Sequence, residues 1–250
     1  MRLIVCSDLH ANLEAMERFE QVIGKQSDSI ACLGDFVGYN ANPEEVLSKI
    51  RAWEKKGRLS IKIGGNHDLA LFDQNLLNRF NSNARKAILW TKETLTKDSL
   101  SWLSQLQDFH VLDSEILFCH GSIRDPNEYI LDEETALLNI IGMPEGVHTI
   151  FFGHTHVPVI YEMDAENIFK VHWMDFDCHF QLQKGHRYLI NPGSIGQPRN
   201  NDTRLSFIIF DKEESSVDFC KLEYDYRPTQ RKIIDAGLPQ MLSERLKEGR

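Results

Sequence analysis

Short apolar runs recur along the first two thirds of the chain, each stopped by a polar or glycine-containing step. Leu3 to Cys6, Ser29 to Leu33, Leu59 to Ile63, Ile116 to Cys119 and Thr149 to Phe152 are too short for buried helices and too uniformly apolar for half-exposed strands. They predict strands buried on both faces. Between them the period lengthens. Residues 12–23 place Leu13, Met16, Phe19 and Ile23 on one helical stripe, and Pro43 to Trp53 reads as a helix opened by Asn42 as N-cap with proline in its first turn. Two further helices are expected at 82–96 and 99–106. Strand, loop and helix in repetition predict an α/β architecture.

After His156 the rhythm changes. Val157 to Met163, Ile168 to His172, Tyr188 to Asn191, Leu205 to Phe210 and Val217 to Glu223 are short β-type runs split by turn residues, which predicts a second, mainly antiparallel sheet. Arg227 to Leu246 carries helical signals on both sides of a Gly237-Leu238-Pro239 break. The aromatic stretch from His172 to Phe180 reads as a hairpin or lid at a sheet edge, with Trp173 and Phe176 as candidates to stack on a base. No repeat or low-complexity linker divides the chain, so residues 1–250 are expected to form a single domain.

Composition narrows the function. With 250 residues, 42% hydrophobic and 26% charged, the chain has ample material for a core, and a net charge of −9 argues against a broad nucleic-acid face. The one basic cluster, Arg51 to Arg58, reads as a solvated helix end. No run reaches the ~18 apolar residues of a membrane span, and Leu3 to Cys6 is too short for a secretory core. Five cysteines without a C-x-x-C spacing suit a reducing compartment, so the expected location is cytoplasmic. His110, His148 and His186 have no partner spacing and are expected to be structural or surface residues.

The chemistry sits where the apolar runs end. Asp8-Leu9-His10, Gly34-Asp35, Gly65-Asn66-His67-Asp68, His120-Gly121 and Gly153-His154-Thr155-His156 each follow a predicted strand. In open α/β sheets the carboxyl ends of strands are where loops converge on a ligand. Carboxylates neutralise charge, imidazoles give directional nitrogens and a carboxamide adds a neutral oxygen, which together suit a pair of borderline cations. An aspartate such as Asp35 can bridge two ions roughly 3.5–4 Å apart. Each stretch alone is a common loop; the ordered set is not.

These five stretches, in this order, resemble the calcineurin-like metallophosphoesterases. The resemblance implies one ion on Asp8, His10, Asp35 and His156, and a second on Asp35, Asn66, His120 and His154. It implies His67 as general acid toward the leaving oxygen or as a phosphate-positioning group, with a metal-bridging hydroxide as nucleophile. The implied fold is a four-layer α/β sandwich of two mixed sheets flanked by helices. Mixed ligands of this kind accept Mn, Fe, Zn, Ni or Co. Gly34 to Tyr39, His120 to Pro126, Asn191 to Ser194 with Gly196 to Arg199, and Ala236 to Pro239 extend the likeness to a bacterial and archaeal branch related to dinucleoside tetraphosphatases and serine/threonine protein phosphatases.

Departures from the pattern bear on the substrate. The protein phosphatases of the family carry Asp-Arg three and four residues after the bridging aspartate and an Arg before the Gly-Asn-His run, where this chain has Gly38, Tyr39 and Gly64. Two phosphate contacts and the carboxylate partner of the histidine are thereby missing. A phosphodiester or nucleotide is therefore favoured over a phosphoprotein, with Asp68 as a candidate to orient His67 and Arg124 and Arg199 as candidates to grip phosphate. The rivals are a phosphomonoesterase or protein phosphatase, and a non-catalytic metal-binding scaffold.

Overall fold

The computed structural model describes residues 1–23 and 28–250. In chain order the elements are β1 Arg2–Cys6, α1 Leu13–Ile23, β2 Ser29–Cys32, α2 Pro43–Lys55, β3 Leu59–Lys62, α3 Asn66–Leu69, α4 Gln74–Arg79, α5 Ser82–Thr94, α6 Lys97–Leu103, β4 Phe109–Leu112 and β5 Ile116–Cys119. There follow α7 Glu133–Ile141, β6 Thr149–Phe151, β7 Val159–Met163, β8 Phe169–Trp173, β9 Cys178–Gln181, β10 Arg187–Asn191, β11 Leu205–Asp211, β12 Ser216–Leu222, α8 Arg227–Asp235 and α9 Gln240–Glu248.

Two mixed six-stranded sheets pack face to face, ordered β3-β2-β1-β11-β12-β9 and β4-β5-β6-β10-β7-β8. The four layers follow from which way alternate side chains point. On β1, Leu3 and Val5 enter the core between the sheets, where Phe118 and Phe151 stack at 5.1 Å, while Ile4 and Cys6 face Met16, Phe19 and Trp53 of α1 and α2. On β5, Ile116 and Phe118 point inward while Leu117 and Cys119 meet Ala136 and Ile140 of α7. The four-layer α/β sandwich implied by the sequence is what the chain forms.

The strands after His156 do not make a sheet of their own: β11, β12 and β9 complete the first sheet and β10, β7 and β8 the second. Strand partners separated by long connections are chosen by tertiary packing, which a local pattern does not encode. For the same reason residues 172–180 are not a hairpin, because β8 pairs with β7 in one sheet and β9 with β12 in the other. The segment crosses between two sheet edges. Asn42 is the N-cap of α2 as expected, though its side chain makes no capping bond and its Nδ2 donates to Glu45.

A strand buried on both faces has no polar face to fix its register. Here the ladder itself continues past the strand ends into the loops. Leu33 N donates to Cys6 O at 2.9 Å, Asp8 N to Gly34 O at 3.0 Å, His10 N to Asp35 O at 2.8 Å and Ala11 N to Phe36 O at 2.9 Å. The β1–β2 pairing thus sets Asp8, His10 and Asp35 side by side. No helix among the described residues is long and apolar enough to cross a membrane.

Candidate metal centre

The carboxyl ends of the parallel strands β1, β2 and β3 meet those of β5 and β6 at one edge of the sandwich, and the loops that follow them bring the predicted residues together. Asp8, His10, Asp35 and His156 place one ligand atom each within 4.8 Å of one another, as do Asp35, His120 and His154, and all are buried. Asn66 joins the second group, its Oδ1 lying 3.0 Å from His120 Nε2. Asp35 belongs to both. Its Oδ2 lies 3.5 Å from His10 Nε2 and 3.4 Å from His120 Nε2, while Oδ1 accepts from the backbone of His67 at 2.8 Å.

Hydrogen bonds behind the imidazoles decide which nitrogen faces inward. His10 Nδ1 lies 3.1 Å from Val37 O, His120 Nδ1 2.7 Å from Leu33 O, and His156 Nδ1 2.5 Å from Gln197 O. A carbonyl only accepts, so each Nδ1 carries a proton and each Nε2 is the atom left facing the acids, free to bind a cation once it is deprotonated. His154 is reversed. Its Nε2 meets Asn127 O at 3.2 Å, which leaves Nδ1 as its free lone pair.

The result is a buried nest of acceptors. His10 Nε2 and His156 Nε2 are 3.2 Å apart, and Asp8 Oδ1, 3.2 Å from His156 Nε2, is buried with no hydrogen-bond donor. Lone pairs packed this closely need positive charge between them. Burial favours neutral acids, yet the imidazoles around Asp8 and Asp35 hold both carboxyls below their usual range. Burial likewise opposes charge on His120, but Asp35 and Asp8 outweigh it and raise its pKa to about 9. On His154 burial wins, with help from His120, and the value falls to about 3. The two donor groups, which share Asp35, each have a chemistry that could hold a divalent cation.

Backbone conformation is part of the construction. Asp8, His10, Asp35, His154 and His156 all have φ between 45° and 66°, in the left-handed region that side chains other than glycine seldom adopt. Buried side chains hold these loops in place. Asn191 Nδ2 donates to Gly153 O at 2.7 Å and Thr155 Oγ1 at 3.0 Å, Ser194 Oγ to Asp8 O at 2.8 Å, and Asn40 Nδ2 to His10 O at 2.7 Å. Asn12 both caps α1 through Ala15 N at 3.1 Å and donates to Gly196 O at 2.8 Å. Gly65 is required by close approach, since a Cβ there would lie 2.1 Å from Asp35 Oδ1.

His67 stands at the rim of this nest. Its ring packs on Tyr39 at 4.3 Å, Phe80 at 4.9 Å and His10 at 4.8 Å, and its buried Nδ1 has no partner. Burial, ahead of the Arg199 charge, lowers its pKa to about 4. Asp68 does not orient it: the carboxylate accepts from the amides of Gly65 at 3.0 Å, Val37 at 3.2 Å and Phe36 at 3.3 Å, tying two ligand loops together. Gly38 packs directly against the ring. With φ at +90°, a Cβ there would sit 2.3 Å from His67 Nδ1.

The two arginines singled out by sequence part company. Arg199 reaches in, its Nη2 donating to Tyr39 Oη at 3.2 Å and Gln197 Oε1 at 3.1 Å, with the guanidinium 5.6 Å from the Tyr39 ring centre. Arg124 is instead paired with Glu128 at 2.6 Å, 44% exposed. Sequence reasoning overlooked Asn127 and Tyr129. The first fixes His154, and the second stacks on its ring at 3.7 Å and shares a cleft with Tyr39, Phe80 and Asn66. Neither residue stands at a strand end, so no local signal marks it. His172 and His186 are structural, as expected for the latter, with Nε2 and Nδ1 respectively on the two oxygens of buried Glu162 at 2.8 and 2.6 Å.

Comparison with known proteins places this geometry. Residues 1–215 match the calcineurin-like phosphoesterase superfamily domain. An uncharacterized protein of Methanocaldococcus jannaschii is 31% identical over 254 residues, spanning 99% of this chain and 98% of its own. The crystal structure of a metallophosphoesterase from Sphaerobacter thermophilus is similar over 100% of both chains at 35% identity, with a TM-score of 0.85. A hypothetical protein from Pyrococcus horikoshii OT3 has the same fold, with a TM-score of 0.79 at 19% identity over 100% of this chain and 98% of its own.

Proposed function

This chain belongs to the calcineurin-like phosphoesterase superfamily, and from that premise we propose that it is a dinuclear metal-dependent hydrolase acting on a phosphodiester or nucleotide. The single observation that carries the metal reading is the acceptor nest, in which Asp35 joins two groups of inward-facing ligands. Asp8, His10, Asp35 and His156 would hold one cation, and Asp35, Asn66, His120 and His154 the other. Divalent cations in such a set polarise phosphoryl oxygens and make water a competent nucleophile near neutral pH.

The chain's own groups supply the rest. His67 would share a hydrogen bond with the leaving oxygen, and would pass it a proton only from the imidazolium form, which its burial disfavours and the negative charge of a bound phosphate would restore. With no carboxylate behind it, the ring depends on Tyr39 and Phe80 for its orientation. Tyr39 stands where a protein phosphatase has arginine, and the missing guanidinium is delivered from elsewhere in the chain by Arg199. Of the two phosphate contacts offered by sequence, Arg199 has the support of position; Arg124 is occupied by Glu128. The altered surroundings of His67 are what favour a diester or nucleotide over a phosphoprotein.

The test is hydrolysis of a diester, a monoester, a dinucleoside polyphosphate and a phosphopeptide by the purified chain with added Mn²⁺. We expect turnover of the diester or nucleotide; activity confined to the phosphopeptide overturns the preference. A loaded protein inert toward the whole panel overturns the hydrolase reading and favours the scaffold.

A further inference from the structure

The loop after β10 ties the ligand set to the guanidinium beside it. Its backbone is bonded to the first ligand loop, Ile195 N donating to Ser7 O at 3.0 Å and Gly196 N to Asp8 O at 2.8 Å. Ser194 Oγ donates to the same Asp8 O and accepts from Gln197 N, each at 2.8 Å. Pro198 then disfavours helical backbone at Gln197, and in an extended segment side chains two residues apart share a side. Gln197 and Arg199 meet on that side.

Gln197 is fully buried and acts at two atoms. Its backbone carbonyl accepts from Nδ1 of the ligand His156 at 2.5 Å, and its side-chain Oε1 accepts from Arg199 Nη2 at 3.1 Å. A guanidinium only donates, so the carboxamide has to turn its oxygen toward Arg199 and its amino group away. Tyr39 Oη accepts from the same Nη2 at 3.2 Å. Two acceptors thus use both hydrogens of Nη2, which leaves Nη1 and the buried, unpartnered Nε as donors that neither engages. The Tyr39 ring in turn lies 4.5 Å from the ring of the ligand His10, so the guanidinium is held one ring away from the ligand set.

The chemistry of the acceptor matters. A carboxylate at position 197 would grip Nη2 more strongly and cancel its charge, whereas a carboxamide fixes the guanidinium and leaves it cationic. Among the described residues no carboxylate oxygen lies within 4.0 Å of Arg199. A long side chain ordered before its ligand arrives does not pay that ordering at the moment of binding. We propose that Gln197 is a positioning residue: its carboxamide locks Arg199 in the rotamer that meets a phosphoryl oxygen, while its backbone holds His156, so that one residue sets the phosphate contact relative to the ligand set. The inference rests on the hydrolase reading of that set.

Binding separates this role from a merely structural one. Isothermal titration of the Mn²⁺-loaded chain with methylphosphonate is compared for the parent, Gln197→Met, Arg199→Met and the double variant, with elemental analysis of each. Arg199→Met is expected to weaken binding by about tenfold and Gln197→Met by about fivefold. In the Arg199→Met background, Gln197→Met should cost nothing further, the mark of one residue acting through the other. Metal content should stay at the parent level, because the backbone carbonyl behind His156 is untouched. Gln197→Asn, which withdraws the amide by one methylene, takes the place of Gln197→Met in the cycle if that variant fails to fold by circular dichroism. Equal weakening in both backgrounds, metal loss in the folded Gln197 variant, or a parent that does not bind methylphosphonate overturns the proposal. A coupled cycle in a chain that turns over no phosphoester would sink the hydrolase reading and leave this one standing; turnover without coupling would do the reverse.

Discussion

The floor of the site and its wall are built by opposite means. The floor consists of Asp, His and Asn at strand ends, set in register by backbone ladder bonds and held from behind by carbonyls and buried amides. The wall consists of Tyr39, Phe80, Tyr129 and Arg199, drawn from loops and held by ring packing. The difference teaches a division of labour. Strand topology sets the floor, and the loops packed over it set the wall.

If that division is real, damage to the floor should be catastrophic and damage to the wall graded. Asp35→Asn preserves the oxygen that accepts from His67 N but removes the bridging charge. Turnover should fall by roughly 10³-fold or more, with elemental analysis showing the loss of about one ion per chain. His67→Ala keeps every ligand and the backbone amide, so activity should drop roughly 10²-fold with metal content intact. Equal metal loss in both variants would erase the boundary between floor and rim.

Smaller effects sharpen it. Gly38→Ala must accommodate a left-handed backbone and a methyl group against His67. Its expected cost is about 1–3 kcal/mol in denaturant unfolding. Turnover should fall as well, with metal content unchanged. Arg124→Ala, which breaks a surface pair with Glu128, should alter kcat/KM by less than about twofold. A large loss there would bring Arg124 into the wall and redraw it.

The floor was legible in sequence because each ligand follows an apolar run, and strand ends are where local pattern and long-range position coincide. The wall was not. Tyr129 stands in the loop ahead of α7, where no local period marks it, and only the fold brings it onto the His154 ring. Among the elements, β4 went unread because Phe109, 59% exposed, opens an edge strand with no buried alternate face. By contrast α7 had a readable start, Asp132 accepting from Thr135 N at 2.7 Å ahead of two glutamates, and its apolar run alone hid the helical period. The allocation of β9 to β12 between two sheets depends on partners far away in the chain, where no local period points.

The left-handed ligand residues have a consequence for anyone who would redesign this centre. Asp, Asn and His tolerate that backbone better than most side chains because they are short or bond locally, and they are also the side chains that bind borderline cations. Conformation and coordination therefore restrict these positions to overlapping alphabets. An exchange that looks mild by charge, such as glutamate for Asp8 or Asp35, should fail on both counts: the longer arm would overshoot a cation held there, and the backbone would lose a residue suited to its turn. The centre is thus open to retuning through its wall, and nearly closed to it through its floor.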